Sequence, residues 1–186
     1  MFGWHRRRGA LRAARRTVAP TGVERRFRDR DIIVSKTDPR GRITYANDTF
    51  IAVSGYREEE LVGAPHSIIR HPDMPRCIFQ LMWEHIQQGR EVFAYVKNLC
   101  KNGDHYWVSA HVTATMDGDG RILGHHSCRR TAPVEEIRAI EPIYAELLAI
   151  EQAHGDRKEG LRASRARLDE ILAPFDGDTV RFQFRG

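Results

Sequence analysis

Between residues 105 and 114 the chain alternates Tyr106, Val108, Ala110, Val112 and Ala114 with His105, Trp107, Ser109, His111 and Thr113. A period of two belongs to a β-strand with one buried face, and the Tyr–Val–Ala face is expected to point inward, against helices. Stretches 91–100, 104–116 and 121–129 read as three strands, and 31–36 and 42–45 as two shorter ones. Residues 38–41 and 117–120 are turns by composition, and Asn102-Gly103 suits a type I′ hairpin turn. After the second strand the period changes. Asn47 or Asp48 can cap a short helix through Val53, ended by Gly55, and 57–61 adds one more helical turn. An irregular stretch from Pro65 and His66 leads to Asp73 and Pro75, which signal a longer helix to about Gln88. It sets Ile78, Leu81, Met82 and Ile86 on one face, with Phe79 and Trp83 at the border. These elements predict an α+β fold, a five-stranded antiparallel sheet with helices on one face.

From Pro133 the pattern is helical again, through Val134, Ile137, Ile140, Ile143, Tyr144, Leu147, Leu148 and Ile150. His154-Gly155-Asp156 breaks it, and a second amphipathic stretch over 158–173 carries Leu161, Leu168, Ile171 and Leu172. This C-terminal helical extension either covers the domain's own sheet or forms a dimerisation or docking surface. The chain thus divides into a basic arm expected to be disordered (1–30), a domain (31–132), amphipathic helices (133–173) and a tail (174–186).

Charge separates these parts. Residues 1–30 hold ten arginines against Glu24 and Asp29, a net +8, whereas the whole chain is +5, so residues 31–186 sum to −3. The arm reads as a solvated leader or, with Phe2, Trp4 and Leu11 as anchors, as a contact for an anionic membrane surface. Nucleic acid is not an expected partner, since no recognition helix or basic aromatic sheet accompanies the arm. No apolar run is long enough to span a bilayer, and no apolar segment follows the arginines as a secretory signal requires. Cys77, Cys100 and Cys128 form no C-x-x-C pair and no even disulfide framework, which suits a reducing cytoplasm. Nucleophile, Walker and zinc-protease motifs are absent, Glu58-Glu59-Glu60 reads as a solvated helix start, and the hairpin turn accounts for Asp104 beside His105. An enzyme is not expected.

Two polar stretches remain: Arg70-His71-Pro72-Asp73-Met74-Pro75 and the hairpin from Lys97-Asn98 to Val108. On residue chemistry alone the first is either a structural loop, with Asp73 capping the helix and Arg70 paired to it, or a cationic ligand loop. Adding Tyr45-Ala46-Asn47-Asp48-Thr49-Phe50, Val53-Ser54-Gly55-Tyr56, Met82-Trp83, Glu135-Glu136-Ile137 and Glu141-Pro142, residues 31–150 resemble a PAS domain, most closely the FAD-binding type of the aerotaxis (energy-taxis) receptors.

The resemblance implies FAD held non-covalently between the central helices and the sheet. Arg70, His71 and Asp73 match the loop on which flavin retention depends, Asn47 and Asn98 match polar positions near the pocket, and Trp83 matches a helix tryptophan. Tyr106, on the inward face, and His126, whose strand position is expected to face the pocket, complete the candidate set. Asn98 can give the ring a directional partner, and a cationic loop can hold a pyrophosphate or an anionic ring. The family's third-strand tryptophan is Val92 here, and His66 stands where blue-light relatives carry their adduct cysteine. Haem is an alternative, through His85, His71 or His126; a His125-His126 metal pair is disfavoured because adjacent strand residues point apart. A further alternative is a cofactor-free dimerisation module. The resemblance implies a cytoplasmic, stand-alone sensor, expected as a homodimer, that passes redox, oxygen or energy state to a chemoreceptor or histidine-kinase partner.

Overall fold

The computed structural model describes residues 18–175, in which five strands form one antiparallel sheet. They are β1 (Ile33–Thr37), β2 (Ile43–Ala46), β3 (Val92–Leu99), β4 (His105–Met116) and β5 (Ile122–Thr131), in the spatial order β2-β1-β5-β4-β3. Between β2 and β3 lie α1 (Asp48–Ser54), α2 (Glu58–Leu61), a 3₁₀ turn (His66–Ile69) and α3 (Arg76–Gln87). After β5 come α4 (Val134–Ala153) and α5 (Arg157–Leu172). The inward face of β4 is as its alternation requires: Tyr106, Val108, Ala110 and Val112 are buried.

Three hairpin turns share one closure. Asp38, Cys100 and Asp117 each accept at the carbonyl from the glycine three residues on, and each donates its N–H to the carbonyl four residues on. Gly41, Gly103 and Gly120 therefore occupy the positive-φ bulge position. This corrects the type I′ turn expected at Asn102-Gly103. The turn closes one residue earlier, on Cys100, and leaves Gly103 at φ 97° as the bulge.

Residues 18–30, assigned from sequence to a disordered arm, run beside the start of β4. His105 N–H donates to the Val23 carbonyl and Arg25 N–H to the His105 carbonyl. Thr21 bonds Gly103 and Asp104, and a side chain at Gly103 would overlap the Ala19 carbonyl. The arginines at 6–16 and the anchors Phe2, Trp4 and Leu11 lie outside the described residues, as do residues 176–186 of the tail.

The C-terminal helices pack on the chain itself. Trp107, on the outer face of β4, is covered by Tyr144 of α4, the rings 6.3 Å apart and nearly parallel. Tyr144 Oη donates to the carbonyl of Tyr95 on edge strand β3 (2.8 Å), and the neighbouring Lys97 N–H meets Met74 Sδ. An exposed strand edge invites pairing with other chains, so these contacts blunt it. Asp73 does not cap α3. Glu151 of α4 takes that part, accepting from Cys77 N–H (3.0 Å).

Candidate functional site

A cavity of about 280 Å³ lies between α3, the 3₁₀ turn and the inner face of the sheet. That is the low end of the ~300–1,000 Å³ typical of small-molecule pockets. Its apolar wall comes from Ile69, Phe79, Met82, Trp83, Val96 and Val112, set by the i, i+3, i+4 spacing of α3 and the period of two in β3 and β4. The apolar wall alone would suit any hydrocarbon. Polar groups give the cavity its chemical character.

At one end the fully buried guanidinium of Arg129 donates from Nε to Ser127 Oγ (3.0 Å) and from Nη2 to Ser35 Oγ and His66 Nε2. Its ring-side neighbour is Phe50, 5.1 Å away. Among the described residues no carboxylate pairs with it, and Nη1, also buried, has no partner. Burial pulls the guanidinium pKa down, but arginine stays cationic throughout the ordinary pH range. Because Arg129 can only donate, His66 Nε2 is an acceptor and the imidazole proton sits on Nδ1. Burial, and then the Arg129 charge, push the His66 pKa down to about 3, so this ring is neutral.

A second orphan lies on β3. Asn98 is buried on the inward face, and its Nδ2 has no partner. At the opposite end His125 Nδ1 meets Thr37 Oγ1 (3.1 Å), and its ring stands edge-on to Trp83 at 5.1 Å. The far tip of Trp83 lies against Gly41, where an added Cβ would be 3.1 Å from the indole.

Of the residues named from the sequence, Arg70, Trp83 and Asn98 line the cavity. Arg70 lays its guanidinium on the Phe79 ring at 4.2 Å and donates to the Met74 carbonyl. His71 and Asp73 lie beside the site. His71 is buried outside the cavity wall, accepts from Asp73 N–H at Nδ1 (3.1 Å), and stands edge-on to His105. Burial, with help from Lys97 and His105, pushes its pKa to about 4 against the pull of Asp73. Burial alone would raise the Asp73 pKa, but the Lys97 ammonium at 2.8 Å and the two histidines hold it below the usual range. Asn47 fastens β1 to α1, bonding Ile32, Val34 and Phe50 backbone, and does not line the cavity. Tyr106 is buried without lining the cavity, and its hydroxyl has no partner.

His126 is placed on the opposite face, across from Lys36 and Thr113, so the expectation that it faces the pocket is corrected. The cause is a bulge at 115/116. Met116 pairs with Ile122, but Thr115 pairs with Gly124 rather than Leu123, so the register slips by one. Such a slip exchanges the two faces. His125, Ser127 and Arg129 turn inward, and His126 turns out. Of the haem candidates, His85 spends Nδ1 on the Leu81 carbonyl, and neither it, His71 nor His126 lines the cavity. Among the described residues no cluster of three His, Cys, Asp or Glu groups is placed to hold a metal.

Sequence reasoning missed Arg129, His125, Ser35 and Ser127, and gave His66 no role beyond its position. Along β5 both faces carry polar side chains, so alternation alone assigns no inward side.

Helices α1–α3 thus lie on the inner face of the antiparallel sheet, with the cavity between them. Residues 43–127 match the PAS fold family. Over 121 residues (65% of this chain, 24% of the relative) the chain is 48% identical to the aerotaxis receptor of Escherichia coli. It is 30% identical over 96 residues to the biofilm dispersion protein BdlA of Pseudomonas aeruginosa, covering 51% of this chain and 23% of that protein. The chain therefore spans about a quarter of the length of either relative. The first is a receptor by name, and neither name is that of an enzyme. Among solved structures, a light-oxygen-voltage domain studied with a flavin analogue superposes with TM-score 0.54 at 19% identity (58% of this chain, 82% of that one). The light-state Aureochrome1 LOV domain of a blue-light photoreceptor gives 0.51 at 22% (66% and 91%). At these identities the likeness is one of fold.

Proposed function

We propose that this PAS domain binds a flavin, FAD in particular, in the cavity and signals its redox state to a chemoreceptor or histidine-kinase partner. The observation that carries the reading is the pair of buried, unpartnered N–H donors, Arg129 Nη1 and Asn98 Nδ2, on two residues that line the pocket. Each such group costs about 1–3 kcal/mol if left without a partner. A flat ring with N and O acceptors along one edge satisfies both. A bound flavin takes up electrons and protons reversibly and gains negative charge in doing so. Arg129, a buried cation without a carboxylate, favours that charge, while neutral His66 holds it in place. Trp83, Phe79 and Val96 would shield the ring from water, and the Arg70 guanidinium would hold an anionic group of the cofactor. The 48% identity to the aerotaxis receptor supports the same reading.

The signal runs outward from Asn98. Its neighbour Lys97 bonds Asp73 and pairs across the sheet with Trp107, on which Tyr144 of α4 is stacked. A change of contacts at the ring thus passes through Asn98, Lys97 and Trp107 to the helix proposed to dock or release. His111, stacked on Phe93 and bonded to Glu91, lies on the same outer face. A cytoplasmic homodimer is part of the proposal; the three cysteines are free, as a reducing compartment keeps them.

The test is the visible absorption spectrum of the purified chain before and after dithionite. Flavin bands that bleach on reduction support the reading, and chromatography of the released cofactor separates FAD from FMN. A protein that stays colourless after incubation with FAD overturns it and leaves the dimerisation module; a Soret band moves the argument to haem.

A further inference from the structure

Glu151 is a carboxylate almost wholly removed from water, near the C-terminus of α4. Three donors from two other helices converge on it. Arg76 Nε (2.7 Å) and Cys77 N–H (3.0 Å) come from the first turn of α3, and Ser164 Oγ (3.0 Å) comes from α5. A buried carboxylate is tolerated only with such complete pairing, and removing its partners is costly. A second link, Arg165 to Glu84, joins α5 to the other end of α3. Gly160 lets α5 pass so close to the Glu151 backbone that a side chain there would overlap the carbonyl. Close-packed contacts of this kind switch between discrete arrangements instead of sliding.

The other anchor of the hairpin is Tyr144 on the Tyr95 carbonyl of β3. Both anchored elements are walls of the cavity: α3 contributes Phe79, Met82 and Trp83, and β3 contributes Val96 and Asn98. Residues 134–172 lie outside the 43–127 stretch that matches the PAS family. Nothing about the hairpin is needed to form the pocket, yet it grips the pocket's two walls.

We infer that the α4–α5 hairpin is an output element latched by Glu151, and that its docking is coupled through α3 to what fills the cavity. This rests on the cavity being the ligand site. A ligand that stiffens α3 strengthens the latch, and by linkage an intact latch tightens ligand binding by the same factor. Release uncovers Tyr144, now buried against Trp107.

Amide hydrogen exchange over residues 134–172 of the full chain tests this, with and without FAD, in wild type, Glu151→Gln and Met82→Ala. The expected result is that FAD slows exchange in α4 and α5 by about fivefold or more. Glu151→Gln speeds exchange in α5 with β4 unchanged, and weakens FAD binding by the factor that FAD gives in protection. Ser164→Ala, which removes one of the three donors, replaces Glu151→Gln if that variant does not fold. Bound FAD with unchanged hairpin exchange, and an unchanged Kd in the latch variant, overturn the coupling. If FAD fails to bind, the cavity assignment falls, and Met82→Ala decides the coupling by itself. Exchange in α5 that rises beyond that in β4 upholds it, and exchange that follows β4 ends it.

Discussion

Arg129 is the residue whose surroundings are hardest to explain by stability. Its guanidinium is buried on two serines and a neutral histidine, with Nη1 unspent. Replacing a buried charge by an apolar side chain of similar length is often neutral or stabilising by about 1–4 kcal/mol. Arg129→Met should therefore leave the ligand-free domain at least as stable in urea unfolding while weakening FAD binding tenfold or more, roughly one hydrogen bond to a charged group. A large loss of stability without FAD would make Arg129 a structural residue. His66 provides a pH test. Its folded pKa, about 3, lies below the value of about 6.5 expected in the unfolded chain. The unfolded state binds the proton first, so the contribution of His66 is complete above pH 6.5 and is lost as pH falls towards 3. The slope approaches about 1.4 kcal/mol per pH unit. His71, depressed to about 4, adds a loss of the same sign over a narrower window. Urea midpoints at pH 7.5 and 5 should differ more in wild type than in His66→Asn.

Among the elements, the β4–β5 hairpin has the largest consequence for the site, because its bulge at 115/116 decides which face of β5 meets the cavity. Gly124 sits at that bulge, and a side chain there would overlap the Thr37 carbonyl of β1. The overlap is with backbone, which cannot rotate away. Gly124→Ala should cost about 1–3 kcal/mol in thermal or denaturant unfolding, the usual penalty of overpacking. An effect below about 0.5 kcal/mol, the range of indifferent surface changes, would mean that the close approach is not maintained in solution. The 70–75 loop also takes its form from its neighbours. Asp73 faces Lys97 instead of capping α3, so Lys97→Met should unsettle the loop through Asp73 and His71. Ring-proton chemical shifts of His71 report that change directly.

At the scale of the molecule, the sheet needs its C-terminal helices. Without α4, the outer face around Trp107 and Tyr95 and the backbone of edge strand β3 are open to other chains. A chain ending at residue 132 should form larger assemblies than the full chain in light scattering. Tyr144→Phe retains the ring and removes only the bond to the Tyr95 carbonyl. It should cost about 1 kcal/mol and leave the association state unchanged.

What was legible along the chain follows from how each element interacts. The strands of β3 and β4, the helix α3 and the glycines of the turns are local matters of period and backbone freedom, so they could be read residue by residue. Asn98 and Trp83 came from the resemblance to the family, Trp83 standing at the border of the apolar face of its helix. Arg70 came from the resemblance of its loop to the family. β5 is polar on both faces, and its inward side is set by pairing with β4 across a bulge, a contact between residues distant from any local pattern. Hence His125 for His126, and hence the late appearance of Arg129. The cap of α3 likewise comes from Glu151, more than seventy residues away. Local sequence determined the elements and most of their faces; the register between strands and the burial of charges at long range were decided only when the chain closed on itself, because those energies belong to pairs of segments and to neither segment alone.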